Sequence, residues 1–345
     1  MRPLTTIVYN ASGPSRYDAM GEARAVAAVL EEVEAVQRAL ETLGYRVARL
    51  PLAPPMREVE KELAALETGL AFNLFEGFDG QPKTEPEVAG MLASRGIPYT
   101  GNPPAALALC LDKLRAKEAL RRAGVETPRA RVMSLYNLHS FDLGFPCIVK
   151  PRGEDASHGL SEKSVVHDSA ALARQVGRVS RLFGGSALVE EFIDGREFNV
   201  TVMGNDCPEV LPVSEILYDL PPGKPRLLTY GSKWDPNDPY FRGSVPACPA
   251  ELTLEQRRQV VETASRAFKT LGCQGYARVD LRLDEEGVFN VLEVNPNPDI
   301  SPDAGAAIQA KAAGMSYEQF IERIVELALE GKEFEAPDPA LLQGG

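Results

Sequence analysis

The residues best suited to chemistry lie in a predicted β-hairpin late in the chain, YARVDLRL-DEEG-VFNVLEV. Side chains two apart on a strand share a face, so Arg278 and Asp280 point the same way, as do Glu293 and Asn295 on the return strand. The opposite, core-facing rows are Val279, Leu281 and Leu283 on one strand and Leu292 and Val294 on the other. Two carboxylates and an amide oxygen that converge across the ladder predict a magnesium site shared with phosphate. Arg278 beside them could neutralise a developing oxyanion. A hairpin with one polar, solvated face remains the alternative on this pattern alone.

Each of the other candidate residues gives only a weak indication of function when it is considered alone. Lys150 ends the apolar run FPCIVK, where an ammonium needs an anionic partner such as phosphate, and the loop GEDASHG that follows could offer backbone N–H groups. Taken alone, this motif is weak, and a plain surface hairpin explains that loop better. Lys113, in LDKLRAK, is typical of a solvated helix face. The remaining candidates are Glu190, Glu191 and Glu197 around the turn Asp194-Gly195, and Lys233 in an irregular segment.

Composition excludes several classes of function. The chain has 345 residues and a formal charge of -12, so it has no broad basic surface for nucleic acid. We expect no nucleic-acid partner and no membrane span, and the N-terminus lacks the apolar core of a signal peptide. Five scattered cysteines without a Cys-x-x-Cys pair and three histidines argue against disulfides, zinc and histidine triads. These features favour the cytoplasm and a small-molecule substrate.

The helices and strands that must position these residues are predicted to form three lobes. The expected fold class is α/β, with α+β lobes. Residues 1–104 alternate strands and helices in the manner of a parallel, Rossmann-like sheet. Residues 105–188 begin with one long helix, 105–123, and continue as an antiparallel sheet backed by helices. Residues 189–335 contain strands at 197–203 and 210–216, an irregular stretch at 221–246, a helix at 254–271 and the hairpin. Two helices, near 306–313 and 317–329, end this lobe.

The order of the motifs resembles that of ATP-grasp enzymes of the D-alanine–D-alanine ligase type. The motifs run LDKLRAK, FPCIVKP, a small-residue loop ending in Ser-His-Gly, VEEFIDGREF, GSKWDPNDPYFRG, GCQGYARVDLRL and FNVLEVNPNPD. The likeness extends from about residue 72 to residue 327. It implies the ATP-grasp fold, with ATP between the central and C-terminal sheets. It also implies an ADP-forming ligase that joins a carboxylate to an amine through an acyl phosphate.

The resemblance also implies roles for individual residues. Lys113 and Lys150 would contact phosphates, Glu197 the ribose, and Lys233 the γ-phosphate side. Adenine would lie against Glu190 and the backbone of Glu191, Phe192 and Ile193, beneath a closing loop with Ser157, His158 and Gly159. Asp280, Glu293 and Asn295 would bind two Mg²⁺ ions, which Mn²⁺ could replace, and Arg278 would hold the oxyanion. Ligases of this type are commonly dimers, so the resemblance also makes a homodimer possible.

Two segments depart from the ligase pattern. The region that carries a glutamate for the first substrate's ammonium group in the ligases is YNASGPSRYDAM here, and Glu22 is the nearest carboxylate. Asp299, Pro302, Asp303 and Ala304 replace the ligases' glycine- and serine-rich turn, and Asp155 and Ala156 alter the closing loop. Acidic groups would repel a substrate carboxylate and could hold a cation. A related amide-forming ligase is therefore expected, with D-alanine–D-alanine ligase and a catalytically silent ATP-binding regulator as alternatives.

Overall fold

A computed structural model of the chain describes residues 2–11, 23–78, 81–152 and 159–330, apart from the side chains of 23–28 and 233–234. The first sheet is parallel, as predicted, with the strand order β2-β1-β3. Its elements are β1 (Leu4–Asn10), α1 (Ala23–Thr42), β2 (Arg46–Leu52), α2 (Met56–Ala64), β3 (Leu70–Leu74) and α3 (Thr84–Ser94). The five residues of β3 are all buried, as expected of a strand covered on both faces.

The predicted helix over residues 105–123 is wrong in one respect, because two helices occupy this stretch. They are α4 (Pro104–Leu111) and α5 (Lys113–Arg122). Asp112 lies between them with φ -91° and ψ 88°, and its side chain accepts a hydrogen bond from the backbone N–H of Arg115. Asp112 therefore caps a new helix and sets the direction of the lysines in α5.

The second sheet is antiparallel, as predicted, with the order β4-β7-β5-β6. Its strands are β4 (Ala130–Met133), β5 (Cys147–Pro151), β6 (Val165–Val166) and β7 (Ala187–Glu191), and α6 (Ser169–Phe183) lies between β6 and β7 in sequence. Apolar residues of α6, among them Leu172, Val176 and Val179, pack with Val149 and Val189 of the sheet. This core holds Lys150 and Glu190 on neighbouring strands.

The third sheet has the order β11-β10-β8-β12-β13, with β9 paired to β8. Its elements are β8 (Arg196–Gly204), β9 (Glu209–Val210), β10 (Ser214–Tyr218), α7 (Tyr230–Trp234), α8 (Pro239–Gly243), β11 (Ser244–Ala247), α9 (Leu254–Thr270), β12 (Gly275–Leu283), β13 (Phe289–Asn295), α10 (Gly305–Ala312) and α11 (Tyr317–Leu329). The predicted strand 210–216 is wrong, because the chain leaves β9 before Pro212 and starts β10 at Ser214. The stretch 221–246, expected to be irregular, contains two short helices and β11.

The cores join segments that are distant in sequence. Side chains of α4 and α5, such as Cys110 and Leu120, pack with Val279 and Val294 of the third sheet. The first sheet and α1 pack against Tyr276, α10 and α11. The β12–β13 hairpin is therefore held from both sides. Within the described ranges, no helix is long and apolar enough to cross a membrane.

Candidate functional site

The hairpin places the predicted metal-binding residues as strand parity requires. Asp280 lies opposite Glu293 and Arg278 lies opposite Asn295 in the β12–β13 ladder. The predicted core-facing role of Leu292 is wrong, because a bulge shifts the register after Asp280, so that Leu281 pairs with Val291. Val291 and Val294 then fill the core, and the half-buried Leu292 is the extra residue.

Arg278 and Asp280 form a two-point ion pair. The Nε and Nη2 atoms of Arg278 donate to Oδ1 and Oδ2 of Asp280 at 2.8 and 2.9 Å. Asn199 on β8 also donates to Oδ1 of Asp280, at 2.7 Å. Burial raises the pKa of Asp280, and the nearby Glu293 carboxylate adds to this effect, while Arg278 opposes it. These contacts fix the orientation of Arg278 along the face of β12.

Lys113 connects α5 to the hairpin, because its Nζ lies 3.2 Å from Oε2 of Glu293. Burial would raise the pKa of Glu293, but Lys113, Lys150 and Arg278 hold it well below its usual range. Glu293 is therefore an ionised acceptor at neutral pH. Cations on α5, β5 and β12 balance its charge.

The hairpin's donor set fits magnesium. Asp280, Glu293 and Asn295 supply carboxylate and amide oxygens, the ligands that Mg²⁺ takes together with phosphate oxygens. Two carboxylates face each other directly, and their mutual repulsion is one that a divalent ion would relieve. No group of three or more His, Cys, Asp or Glu side chains in the described ranges could hold a metal alone. The set therefore fits an ion whose remaining ligands come from a bound phosphate.

A second buried cluster lies where the second sheet meets α5. Glu190 is 1% exposed, and its two oxygens lie 3.2 Å from Nζ of Lys117 and 2.6 Å from Nζ of Lys150. Lys117 also donates to Oγ1 of Thr127 at 3.0 Å and to the carbonyl of Leu292 at 2.8 Å. Burial lowers the pKa of Lys117 to about 8, although Glu190 opposes this change. Lys117 thus connects the second sheet to the bulge beside the metal-binding residues.

Glu197 is held by an arginine that the sequence did not single out. Arg282 donates to Oε2 of Glu197 at 2.5 Å through Nη2, and the hydroxyl of Tyr218 donates to the same oxygen at 2.7 Å. Arg282 also donates to the carbonyl of Ile193 at 2.6 Å, and its guanidinium lies 5.0 Å from the centre of the Phe192 ring. These contacts bring the predicted adenine segment and the predicted ribose residue together.

The remaining predicted residues differ in how much the structure describes. Glu191 pairs with Arg129 at 2.5 Å on the outer side of β7. Gly159 has φ +75°, and a Cβ there would lie 2.6 Å from the Phe183 ring, which explains why glycine occupies this position. Lys233 lies in α7, but its side chain is outside the described atoms, and Ser157 and His158 are outside the described residues, as are Glu22, Asp155 and Ala156.

Sequence reasoning missed Lys117, Thr127 and Arg282. Lys117 follows Lys113 by four residues, and this spacing places both lysines on one helix face. Arg282 continues the alternation of Arg278 and Asp280 along β12, so it shares their face. Both signals were present in the printed sequence. Thr127 lies outside any motif and is recognisable only through its contacts.

Comparisons with known proteins identify the family to which the chain belongs. The family described as D-ala D-ala ligase C-terminus matches residues 120–326. A D-alanine–D-alanine ligase of Methylobacterium radiotolerans is 33% identical over 86% of this chain and 92% of its own length. An uncharacterised protein, y4sG, of Sinorhizobium fredii is 37% identical over 76% of each chain.

The fold has solved counterparts. The crystal structure of a D-alanine–D-alanine ligase from Bacillus anthracis complexed with ATP superposes with a TM-score of 0.73, covering 95% of this chain and 98% of that one at 22% identity. Together with the matched family and the relatives, this likeness confirms the fold expected from the motifs. The chain belongs to the D-alanine–D-alanine ligase family, whose members are ATP-dependent carboxylate–amine ligases with the ATP-grasp fold.

Proposed function

We propose that this protein uses ATP and Mg²⁺ to activate a substrate carboxylate as an acyl phosphate and to couple it to an amine. The observation that carries the proposal is the convergence of Lys113, Lys150 and Arg278 on the Asp280–Glu293 pair. Three cations from separate elements around two carboxylates form a site for a negatively charged group that moves during reaction. Simple nucleotide binding does not require an arginine beside the metal-binding residues.

The nucleotide would lie between the second and third sheets. Glu190 and the backbone of Glu191, Phe192 and Ile193 would border adenine, and Glu197, held by Arg282 and Tyr218, would accept from the ribose. Lys113 and Lys150 would exchange their present carboxylate partners for phosphate oxygens, an exchange that keeps both ammonium groups paired. Lys233, Ser157, His158 and Gly159 are assigned to the side of the γ-phosphate and to the loop above it.

The reaction has two steps. A carboxylate oxygen of the acid attacks the γ-phosphorus, and the bond to the leaving ADP oxygen breaks. The amine nitrogen then attacks the acyl carbon, phosphate leaves, and the amine proton passes to solvent or to phosphate. Arg278, fixed by two hydrogen bonds to Asp280, would stabilise the oxyanion of the second step. A closed loop would keep water away from the acyl phosphate.

Two Mg²⁺ ions, or Mn²⁺ in their place, would be held by Asp280, Glu293 and Asn295. The Oδ1 atom of Asn295 already accepts from the backbone N–H of Asn297 at 2.9 Å, which fixes its orientation. Bound metal would reduce the charge repulsion between the phosphates and the incoming carboxylate. Burial and Glu293 destabilise the charged form of Asp280, and a divalent cation would reverse this effect.

D-alanine is the second candidate for both substrates. It is favoured by the names of the relatives, among them the Methylobacterium radiotolerans protein. The acidic residues Asp299 and Asp303, close after the metal-binding asparagine, favour a different, cationic partner. We therefore retain a D-alanine–D-alanine ligase as the alternative to a ligase of other substrates.

The compartment, the substrate classes, the bounds of the lobes and the oligomeric state are also proposals. Five free thiols suit a reducing compartment, and we place the enzyme in the cytoplasm with small-molecule carboxylate and amine substrates. The lobes would comprise residues 1–104, 105–188 and 189–335. A homodimer, which the resemblance to related ligases implies, is the proposed assembly.

The test is phosphate release from ATP and Mg²⁺ with a panel of amino acids and small amines that includes D-alanine. Asp280→Asn and Glu293→Gln should each lower turnover by about 10²–10³-fold while the fold is retained. Glu285→Gln, on the exposed tip of the same hairpin, is the matched control and should leave turnover unchanged. Unchanged turnover in both site variants would contradict the metal assignment. Tight ATP binding without phosphate release on any pair would favour the silent regulator.

A further inference from the structure

Glu190 is shared between two lysines that differ in their access to solvent. Its two oxygens lie 3.2 Å from Nζ of Lys117 and 2.6 Å from Nζ of Lys150. The side chain of Lys150 is 12% exposed, whereas that of Lys117 is 2% exposed. Lys150 can therefore turn towards a ligand, and Lys117 stays inside the protein.

Lys117 is held by hydrogen bonds that do not involve Glu190. Its Nζ donates to Oγ1 of Thr127 at 3.0 Å and to the carbonyl of Leu292 at 2.8 Å. Thr127 in turn donates to the carbonyl of Val291 at 2.7 Å, so both contacts lead to β13. Oε1 of Glu190 accepts no well-aligned hydrogen bond in the described part of the chain, so Lys117 acts on it as a charge at 3.2 Å. Lys117 therefore keeps its position independently of the second lysine.

The carboxylate of Glu190 needs a cation whether or not Lys150 is beside it. Glu190 is 1% exposed, and a buried charge without a partner is strongly destabilising. Burial would raise the pKa of Glu190, but Lys117 and then Lys150 hold it below its usual range. Movement of Lys150 to a phosphate would remove one of these two cations. Because Lys117 remains, Glu190 stays paired and Lys150 is free to move.

Lys117 also decides the net charge of the two buried clusters of the site. Together these clusters hold four cations and three carboxylates, namely Lys113, Lys117, Lys150, Arg278, Glu190, Asp280 and Glu293. One positive charge is in excess before any metal binds, and this excess favours an anion such as phosphate. Without Lys117 the clusters would be neutral, and Lys150 would be retained by Glu190.

We propose that Lys117 is a positioning residue for ATP, which stays with Glu190 as its permanent counter-ion and thereby releases Lys150 to bind a phosphate of the nucleotide. This role rests on the nucleotide site of the function proposed above, which assigns Lys150 to phosphate. Lys117 itself contacts neither the nucleotide nor the metal. Its effect is on the phosphate groups, because the charge of Lys150 is what it makes available.

The test is calorimetric titration of the full chain in the presence of Mg²⁺, with a non-hydrolysable ATP analogue and, separately, with adenosine, which has no phosphate. The ratio of the two dissociation constants measures the preference for phosphate. Lys117→Met keeps an unbranched side chain and removes its charge, and it should reduce this preference at least about tenfold. Arg122→Met, which removes a positive charge from the exposed end of the same helix, should preserve the preference.

A double variant separates the charge of Lys117 from its packing. Lys117→Met combined with Glu190→Gln leaves Lys150 without a carboxylate to hold it, so the preference for phosphate should return to within about threefold of that of the unaltered protein. A merely structural role of Lys117 predicts no such recovery. The loss of a contact between Glu190 and adenine affects both ligands alike and cancels in the ratio. Binding of adenosine by each variant shows that it is folded.

The outcomes distinguish the role of Lys117 from the proposed function. A preference for phosphate that survives Lys117→Met, or that the double variant fails to restore, would overturn this role and leave the ligase function in place. Failure of the unaltered protein to bind the ATP analogue would overturn both. A preference lost in Lys117→Met and restored in the double variant, without phosphate release on any substrate pair, would support the role of Lys117 while removing the ligase function.

Discussion

Replacing Glu190 by glutamine should destabilise the protein by about 3–5 kcal/mol at pH 7. The change removes a carboxylate that lies 3.2 Å from Nζ of Lys117 and 2.6 Å from Nζ of Lys150. Lys117 is 2% exposed, so its ammonium cannot turn to solvent and would remain buried without an anion. Thr127 and the carbonyl of Leu292 still accept from it, which keeps the loss from being larger.

The loss of stability caused by Glu190→Gln should become smaller as the pH rises. Burial already lowers the pKa of Lys117 from 10.5 to about 8, and removal of Glu190 lowers it further. Between the folded and unfolded pKa values the unfolded chain binds the extra proton, so stability increases with pH there. In the variant this interval begins at a lower pH than in the unaltered protein. The difference in the free energy of unfolding between the variant and the unaltered protein should therefore narrow by about 1 kcal/mol between pH 7 and pH 9.

The assay is urea denaturation followed by circular dichroism at pH 7 and pH 9. Glu191→Gln is the matched control, because the neighbouring Glu191 pairs with Arg129 through side chains that are 32% and 58% exposed. Such an exposed pair contributes less than about 1 kcal/mol. A loss of stability in Glu190→Gln no larger than in Glu191→Gln, or a difference from the unaltered protein that widens as the pH rises, would contradict this role of Glu190.

Two further predictions concern packing and thiol chemistry. Gly195→Ala should destabilise the protein by at least about 1–3 kcal/mol in a denaturant titration, because its Cβ would lie 1.8 Å from the carbonyl oxygen of Leu283. Gly144→Ala, with no atom within 4 Å of its added Cβ, should be near neutral, and equal effects would contradict this account. A thiol reagent at pH 7.5 should modify the exposed Cys207 first and Cys147 only after unfolding, because burial raises the pKa of Cys147 to about 11. Mass spectrometry that finds Cys147 modified in the folded protein would contradict this.

The sequence by itself determined those features that depend on local periodicity. Alternation along β12 and β13 sufficed to place Arg278, Asp280, Glu293 and Asn295 on one face, because a strand turns its side chains through a fixed two-residue repeat. The sequence also predicted a helix near 317–329, which matches the observed bounds of α11. The order of the motifs indicated the family, and the comparisons confirm it.

Breaks in that periodicity were decided by single contacts. The helix over 105–123 divides because the Asp112 side chain caps the second helix, and helical propensity alone gives no sign of this choice. The role of Leu292 changed because of a bulge, which adds one residue to a strand without altering its composition.

Only the tertiary structure decided which charges meet. Glu32 and Ile300 are 268 residues apart, and Glu197 and Arg282 are 85 apart, yet each pair is joined by a hydrogen bond. The periodicity of apolar residues indicates which face of a helix or strand is buried. It does not indicate which side chains of another element pack against that face. Lys117 is an exposed-looking lysine in the sequence and a fully enclosed one in the fold, because α5 packs between the second and third sheets. Burial of a charge is a property of the assembled chain, and so are the pKa shifts and ionic partners that follow from it.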